Sequence, residues 1–158
     1  MSNKISQITR RNIFDFIQVE GFWWSGSLEE ADFLSRMFDL EKMESYDSRF
    51  PNTAGDIWQH RVNNPNDWED NWIFHDERFN LLKCDDSIFL NFLCEMIHPL
   101  VRNQSSEVSK LLQIFNDNLK EDNFELVEKT RISGKPIFIG RLRITGKESL
   151  EKKTQDML

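Results

Sequence analysis

The chain has 158 residues, of which 39% are hydrophobic, 12% aromatic and 30% charged, with a formal net charge of −7; this fits one domain of ordinary size and excludes a disordered chain, whose apolar surface would be too small to offset chain entropy. No apolar run approaches the roughly 20 residues of a membrane span, and the opening MSNKISQITRRN lacks the apolar centre of a signal peptide. The two cysteines, Cys84 and Cys94, can build neither a disulfide scaffold nor a structural zinc site by themselves, so a soluble, reduced, cytoplasmic protein is expected.

The elements then follow in chain order. A first helix is expected with Thr9 as its cap and Ile8 and Ile13 as a hydrophobic staple, Phe14 and Ile17 on its buried face, and Gly21 as its stop. After the aromatic cluster Phe22-Trp23-Trp24, Ser27 and Glu30 have the spacing of a capping box. They predict a second helix with Phe33, Leu34, Met37 and Phe38 on its apolar face, ending near Leu40. Residues 41–52 read as a loop. Thr53 and Asp56 repeat the capping spacing and predict a short helix through Val62, weakened by Gly55. Residues 63–67, rich in Asn with one Pro, read as a turn. In the following stretch, Trp72 to Phe74 has the character of a short strand. Asp85 or Asp86 can cap a helix that is apolar over most of its circumference (Phe89, Phe92, Leu93, Met96, Ile97), which predicts central burial and an end near His98 before Pro99. Ser105 or Ser106 can cap an amphipathic helix with Val108, Leu111, Leu112, Phe115 and Leu119 on one stripe. The period then changes, and a hairpin of about 124–132 and 136–144 is expected around Ser133-Gly134. The predicted class is α+β, a mainly helical body with a C-terminal antiparallel β-hairpin. Residues 1–142 would form one domain, with 143–158 a polar tail or the start of a linker.

Charge is uneven along this plan. Residues 29–56 carry eight acidic and three basic side chains, and residues 67–86 carry seven and two. Residues 129–153 carry eight basic and two acidic side chains. The two ends can attract each other, be solvated, or leave a basic patch for an anionic partner. An acidic chain does not favour nucleic acid as a partner, because phosphate contacts need clustered Lys and Arg. The six glycines are scattered, so no phosphate loop is formed, and no Gly-x-Ser-x-Gly elbow is present. No arginine precedes any of the three histidines by four to six residues, the pairing of some metal-free ribonucleases. Cys94, on the apolar helix, reads as a core residue. Asp56 and His60, four apart on a helix, can share a face, and His75 can join them as a metal-dependent nuclease site, although no HExxH-type signature supports it. The five tryptophans, all in the first half, read as core or as a recognition surface.

Several strings resemble one family: ITRRNIFD at 8–15, WSG at 24–26, DFLSR at 32–36, SRF at 48–50, AGDIWQHR at 54–61, DWED at 67–70, FLCE at 92–95, His98-Pro99 and RISGKPIF at 131–138. Together they resemble the third type of AbiJ N-terminal domain, named for an abortive-infection protein of bacteria, over about residues 8 to 142. The resemblance implies a small α+β module of antiphage-defence proteins, fused to or encoded with an effector, that senses an invader or regulates that effector. It carries no catalytic residue, metal or cofactor over to this chain. By motif position it singles out Trp24, Arg49, Asp56, Trp58, His60, Arg61, Trp68, His98 and Arg131, as either a recognition site or an interior hydrogen-bond network. The chain ends sixteen residues past Leu142, so either an excised domain or a stand-alone subunit is expected.

The leading expectation is therefore a non-enzymatic sensor or regulatory module, with one face holding Arg49, Trp58, His60 and Arg61. Its expected partner is an effector domain or protein, fused or separate, or a phage-derived ligand. The alternatives are the nuclease of Asp56, His60 and His75, and a structural adaptor that pairs through its hairpin.

Overall fold

A computed structural model describes residues 3–143. Its elements are α1 (Gln7–Val19), α2 (Glu30–Ser35), α3 (Thr53–Ile57), α4 (Asp86–Met96), α5 (Ser105–Leu119), β1 (Phe124–Ile132) and β2 (Lys135–Leu142). Tight 3₁₀ turns lie at Leu40–Lys42, Trp72–Phe74 and Lys120–Asp122, and a π-helical turn at Trp58–Asn63 continues α3. The class is α+β and mainly helical, as expected. The proposed tail lies outside the described residues apart from Arg143.

The N-terminus of α1 is set by distant partners. Ser6, not Thr9, is the cap, its Oγ accepting the N–H of Thr9, and Ile5 is buried while Ile8 is 74% exposed. The two N–H groups before it, of Lys4 and Ile5, donate to the carboxylate of Asp86, 82 and 81 residues away. At the other end Gly21 takes φ +76°, Gly21 N–H donates to Gln18 and Phe22 N–H to Ile17, so the stop is a Schellman turn that needs glycine.

The second capping box does not form. Glu29 holds the cap position of α2 without a side-chain bond, and Ser27 donates to the carbonyls of Leu100 and Val101 instead. The chain passes so close there that a Cβ on Gly26, at φ +57°, would lie 2.2 Å from the Val101 oxygen. The freed Glu30 carboxylate turns towards the residues described below. The third box shifts by one: Asn52 caps α3 by accepting the Gly55 N–H, and Thr53 is buried, donating to Glu44. Gln104 similarly holds the cap position of α5, one residue before the expected serines.

Aromatic rings fill the core. Phe14 stacks on Phe74 at 4.1 Å, and Trp24, Phe33 and Phe92 meet edge to face or in offset stacks. Helix α4 runs through this core, as its all-round apolarity predicts, and ends at Met96. Burial pushes the Cys94 thiol up to about 12, which fits a core residue and not a nucleophile. Trp72 to Phe74 is no strand: it is one 3₁₀ turn with all three side chains buried, and the N–H groups of Trp72 and Phe74 donate to the nearby carbonyls of Glu69 and Asn71 rather than to a neighbouring strand.

Ser133 and Gly134 both have positive φ, the conformation of a tight two-residue hairpin turn, and a bulge near Lys129 interrupts the β1–β2 register. The hairpin packs as a lone hairpin must. A Cβ on Gly140 would come within 2.8 Å of Leu90 on α4, and Asn116 of α5 bonds both main-chain groups of Leu126. Among the described residues, Arg131 and Arg141 pair with Glu128 and Glu125 of the same hairpin, so the basic end does not reach the acidic stretches through these two arginines.

His98 follows α4 with its Nδ1 accepting the Leu100 N–H, which only an unprotonated nitrogen can do. Burial, with the Arg36 charge second, lowers its pKa below the ordinary 6.5. The folded chain thus binds this proton less readily than the unfolded chain. Stability is expected to hold above pH 6.5 and to fall as pH drops below it, levelling off beneath the folded-state value. Urea midpoints at pH 7.5 and 5.5 would check this. His98→Asn, which keeps an acceptor without a charge, should flatten the difference, and an equal slope in the variant would show that His98 is not its source.

Candidate functional site

The site is built from three loops and the α3 segment. Asp47 sits in a turn closed by Ser45, whose Oγ accepts the Asp47 N–H and donates to the Asp47 carbonyl. The Asp47 carboxylate accepts the main-chain N–H and the guanidinium of Arg49, which hold it well below the usual carboxylate range. Asp56 lies on α3 and His60 one turn later, in the π-helical turn. Such turns widen a helix locally and often mark functional positions.

The Asp56 side chain is fully buried. Its Oδ2 accepts from the Tyr46 N–H at 3.2 Å and from Arg78 at 2.8 Å, while Oδ1 has no hydrogen-bond partner and lies 3.5 Å from His60 Nε2. An unmade hydrogen bond of this kind costs about 1–3 kcal/mol. His60 Nε2 is 3.0 Å from Asp47 Oδ2, its Nδ1 is 3.0 Å from Asp67 Oδ2, and its ring stacks on Trp68. A doubly protonated ring can donate to both carboxylates at once, a neutral one to a single carboxylate.

Arg78 locks the opposite wall. It pairs with Asp76 and Asp56 while the Tyr46 ring covers it at 3.9 Å. Behind the site, the Arg61 side chain is 6% exposed; it pairs with Glu30 and Asp70 and donates to the carbonyls of Pro65 and Trp68. Glu30 also accepts from the Trp72 indole. Arg61 therefore fixes the loop that presents Asp67 and Trp68.

Tyr46, Asp47, Asp56, His60, Trp68 and His75 line an open cleft of about 680 Å³. A somewhat larger depression of about 780 Å³ lies between α4 and β2, but its walls are mainly apolar (Met37, Phe38, Leu90, Phe138) and gather no such set of ionisable groups. The motif-derived set thus divides. Asp56, His60 and Trp68 line the cleft, Arg49 stands at its edge through Asp47, and Arg61 lies behind it. Trp24 is in the core, Trp58 is 50% exposed and is not part of the wall, and His98 and Arg131 lie elsewhere, at the end of α4 and on the hairpin. The expected face of Arg49, Trp58, His60 and Arg61 is accordingly not one surface. His75 reaches the cleft, but the ligand atoms that converge are those of Asp47, Asp56 and His60, all within 4.8 Å of one another; the nuclease set of Asp56, His60 and His75 is not gathered as such. Sequence reasoning did not place Glu30, Tyr46, Asp47, Asp67, Asp76 and Arg78 in the site; the concentration of acidic residues on both sides of the motif pointed towards the four carboxylates, and the DWED string held Asp67, while Tyr46 and Arg78 gave no signal.

The fold and the cleft define a small α+β domain that presents charged and aromatic groups from a rigid, buried network. Residues 4–140 match the family model described as AbiJ N-terminal domain 3, and the chain belongs to that family, which makes it a module of the abortive-infection class. No curated protein and no solved structure gives a match. Among the described residues, no helix is long and apolar enough to cross a membrane.

Proposed function

We propose that this domain is the non-enzymatic recognition module of an antiphage defence protein, and that the cleft between Tyr46, His60 and Trp68 binds either its effector or an invader-derived ligand. The observation that carries this reading is the contrast between the cleft's walls and its support. Tyr46, Asp47 and His60 reach an open surface, whereas Arg61, Glu30 and Arg78 are withdrawn into pairs that hold them in place. A site pre-positioned in this way loses little side-chain freedom on binding. The motif residues of the family converge on it in part, which supports a recognition role more than a purely interior one.

The test uses side chains of the cleft wall outside the buried pairs. Tyr46→Ala with His75→Ala is expected to abolish protection of bacteria against phage while the melting temperature of the purified protein stays within about 2 °C of wild type, as surface substitutions usually allow. Full protection by that double variant would overturn the reading.

A further inference from the structure

We infer that Asp47, Asp56 and His60 form a binding site for a divalent first-row transition-metal ion at the floor of the cleft. This inference goes beyond the recognition reading and does not depend on it.

Geometry supplies the first support. Metal–ligand bonds of about 2.0–2.2 Å place neighbouring ligand atoms about 3–4 Å apart around one ion. His60 Nε2 already stands 3.0 Å from Asp47 Oδ2 and 3.5 Å from Asp56 Oδ1, and all three ligand atoms lie within 4.8 Å of one another.

The second support is independent of that clustering. Asp56 is fully buried and its Oδ1, on the side of His60, has no hydrogen-bond partner among protein atoms. Buried carboxylate oxygens are ordinarily satisfied. Arg78 and the Tyr46 N–H take only Oδ2, and they fix the carboxyl so that Oδ1 keeps its direction. A cation is the partner that satisfies Oδ1 together with two further donors at these distances.

The surroundings complete the pattern. Asp67 accepts from or faces His60 Nδ1 at 3.0 Å, the carboxylate–imidazole pairing that orients a ligating histidine through its other nitrogen. One imidazole and two carboxylates suit manganese, iron, cobalt, nickel or zinc better than magnesium or calcium, which prefer oxygen alone. The resident rival is Arg49, bonded to Asp47. Its side chain is 64% exposed and is bonded to a carboxylate two residues away, with the Phe50 ring 5.6 Å off, so it can swing into solvent when a cation enters. Arg78, 8% exposed and shared between Asp56 and Asp76, cannot leave and does not need to.

Calorimetric titration of the full chain, stripped with a chelator, with zinc, manganese and magnesium ions tests this. One equivalent of zinc or manganese is expected to bind, at least tenfold more tightly than magnesium, and to raise the melting temperature. Cobalt should give a visible absorption band of a nitrogen–oxygen site. His60→Gln is expected to weaken zinc binding at least tenfold and to shift that band, whereas Arg49→Ala should bind as tightly or more tightly. Asp56→Asn should also lose binding, but its folding depends on Arg78, so His60→Gln and Arg49→Ala decide the matter. Absence of stoichiometric binding by the wild type, binding unchanged in His60→Gln, or binding lost in Arg49→Ala would overturn the site. Protection assays on the Tyr46 and His75 variants report separately on recognition, so the two readings fail on different measurements.

Discussion

Arg10→Met is expected to cost about 3–5 kcal/mol of folding free energy, the loss typical of breaking a buried ionic network from one side. At about 2–4 °C per kcal/mol for a chain of this size, the melting temperature should fall by about 6–20 °C. The Arg10 side chain is entirely buried and donates to the carbonyls of Ile5, Leu81 and Cys84 and to the carboxylate of Asp86. Its guanidinium also lies 4.8 Å from the centre of the Phe89 ring. An apolar residue of similar volume often replaces a buried ion pair without loss, but here it would leave the Ile5 carbonyl without its side-chain donor, the Leu81 carbonyl with only the weak Cys84 thiol, and the Cys84 carbonyl with only the Asn3 amide. Asp86 would keep only the N–H groups of Lys4 and Ile5. Arg10→Lys should recover a minority of the loss, because one ammonium cannot span four acceptors from a fixed direction. Chemical denaturation measures all of this, and a change below about 1 kcal/mol in Arg10→Met would show that water replaces the guanidinium at little cost.

Arg61→Ala is the second large effect expected, about 2–4 kcal/mol, somewhat less because one of its partners is at the surface. Asp70 is 73% exposed, but the carbonyls of Pro65 and Trp68 lose the guanidinium and Glu30 keeps only the Trp72 indole, with no cation beside it. The loop carrying Asp67 and Trp68 should loosen, so the near-ultraviolet signal of the stacked Trp68 and His60 should weaken at temperatures where the chain is still folded. Adding Glu30→Gln should restore part of the stability by removing the unpaired charge. The sequence placed His60 and Arg61 together on one face. The structure separates them: Arg61 supports, His60 presents. A melting temperature unchanged in Arg61→Ala would remove that distinction.

The helices and the hairpin were legible because their signals are local and periodic: the stripe of α5, the all-round apolarity of α4, the Ser133-Gly134 turn and the stop at Gly21. Caps were less so. Ser27 and Glu30, or Thr53 and Asp56, have the right types at the right spacing, yet each had a stronger partner far along the chain. Ser27 bonds the carbonyls at 100–101, Glu30 pairs with Arg61, and Asp56 pairs with Arg78. Spacing reports only what a side chain can do with its neighbours. For the same reason Asp56, His60 and Trp68 were found by their motif, while Asp47 and Arg78, in stretches with no period, were not.

Asn116 limits how this hairpin can be used by another chain. With both main-chain groups of Leu126 held by one amide, an extended segment arriving alongside β1 would first have to displace that side chain. Among the described residues, no side chain holds the main chain of β2 in this way. Growth of the sheet by strand addition would therefore favour the β2 side, and two copies joined there would present only β1 margins, each obstructed at Leu126.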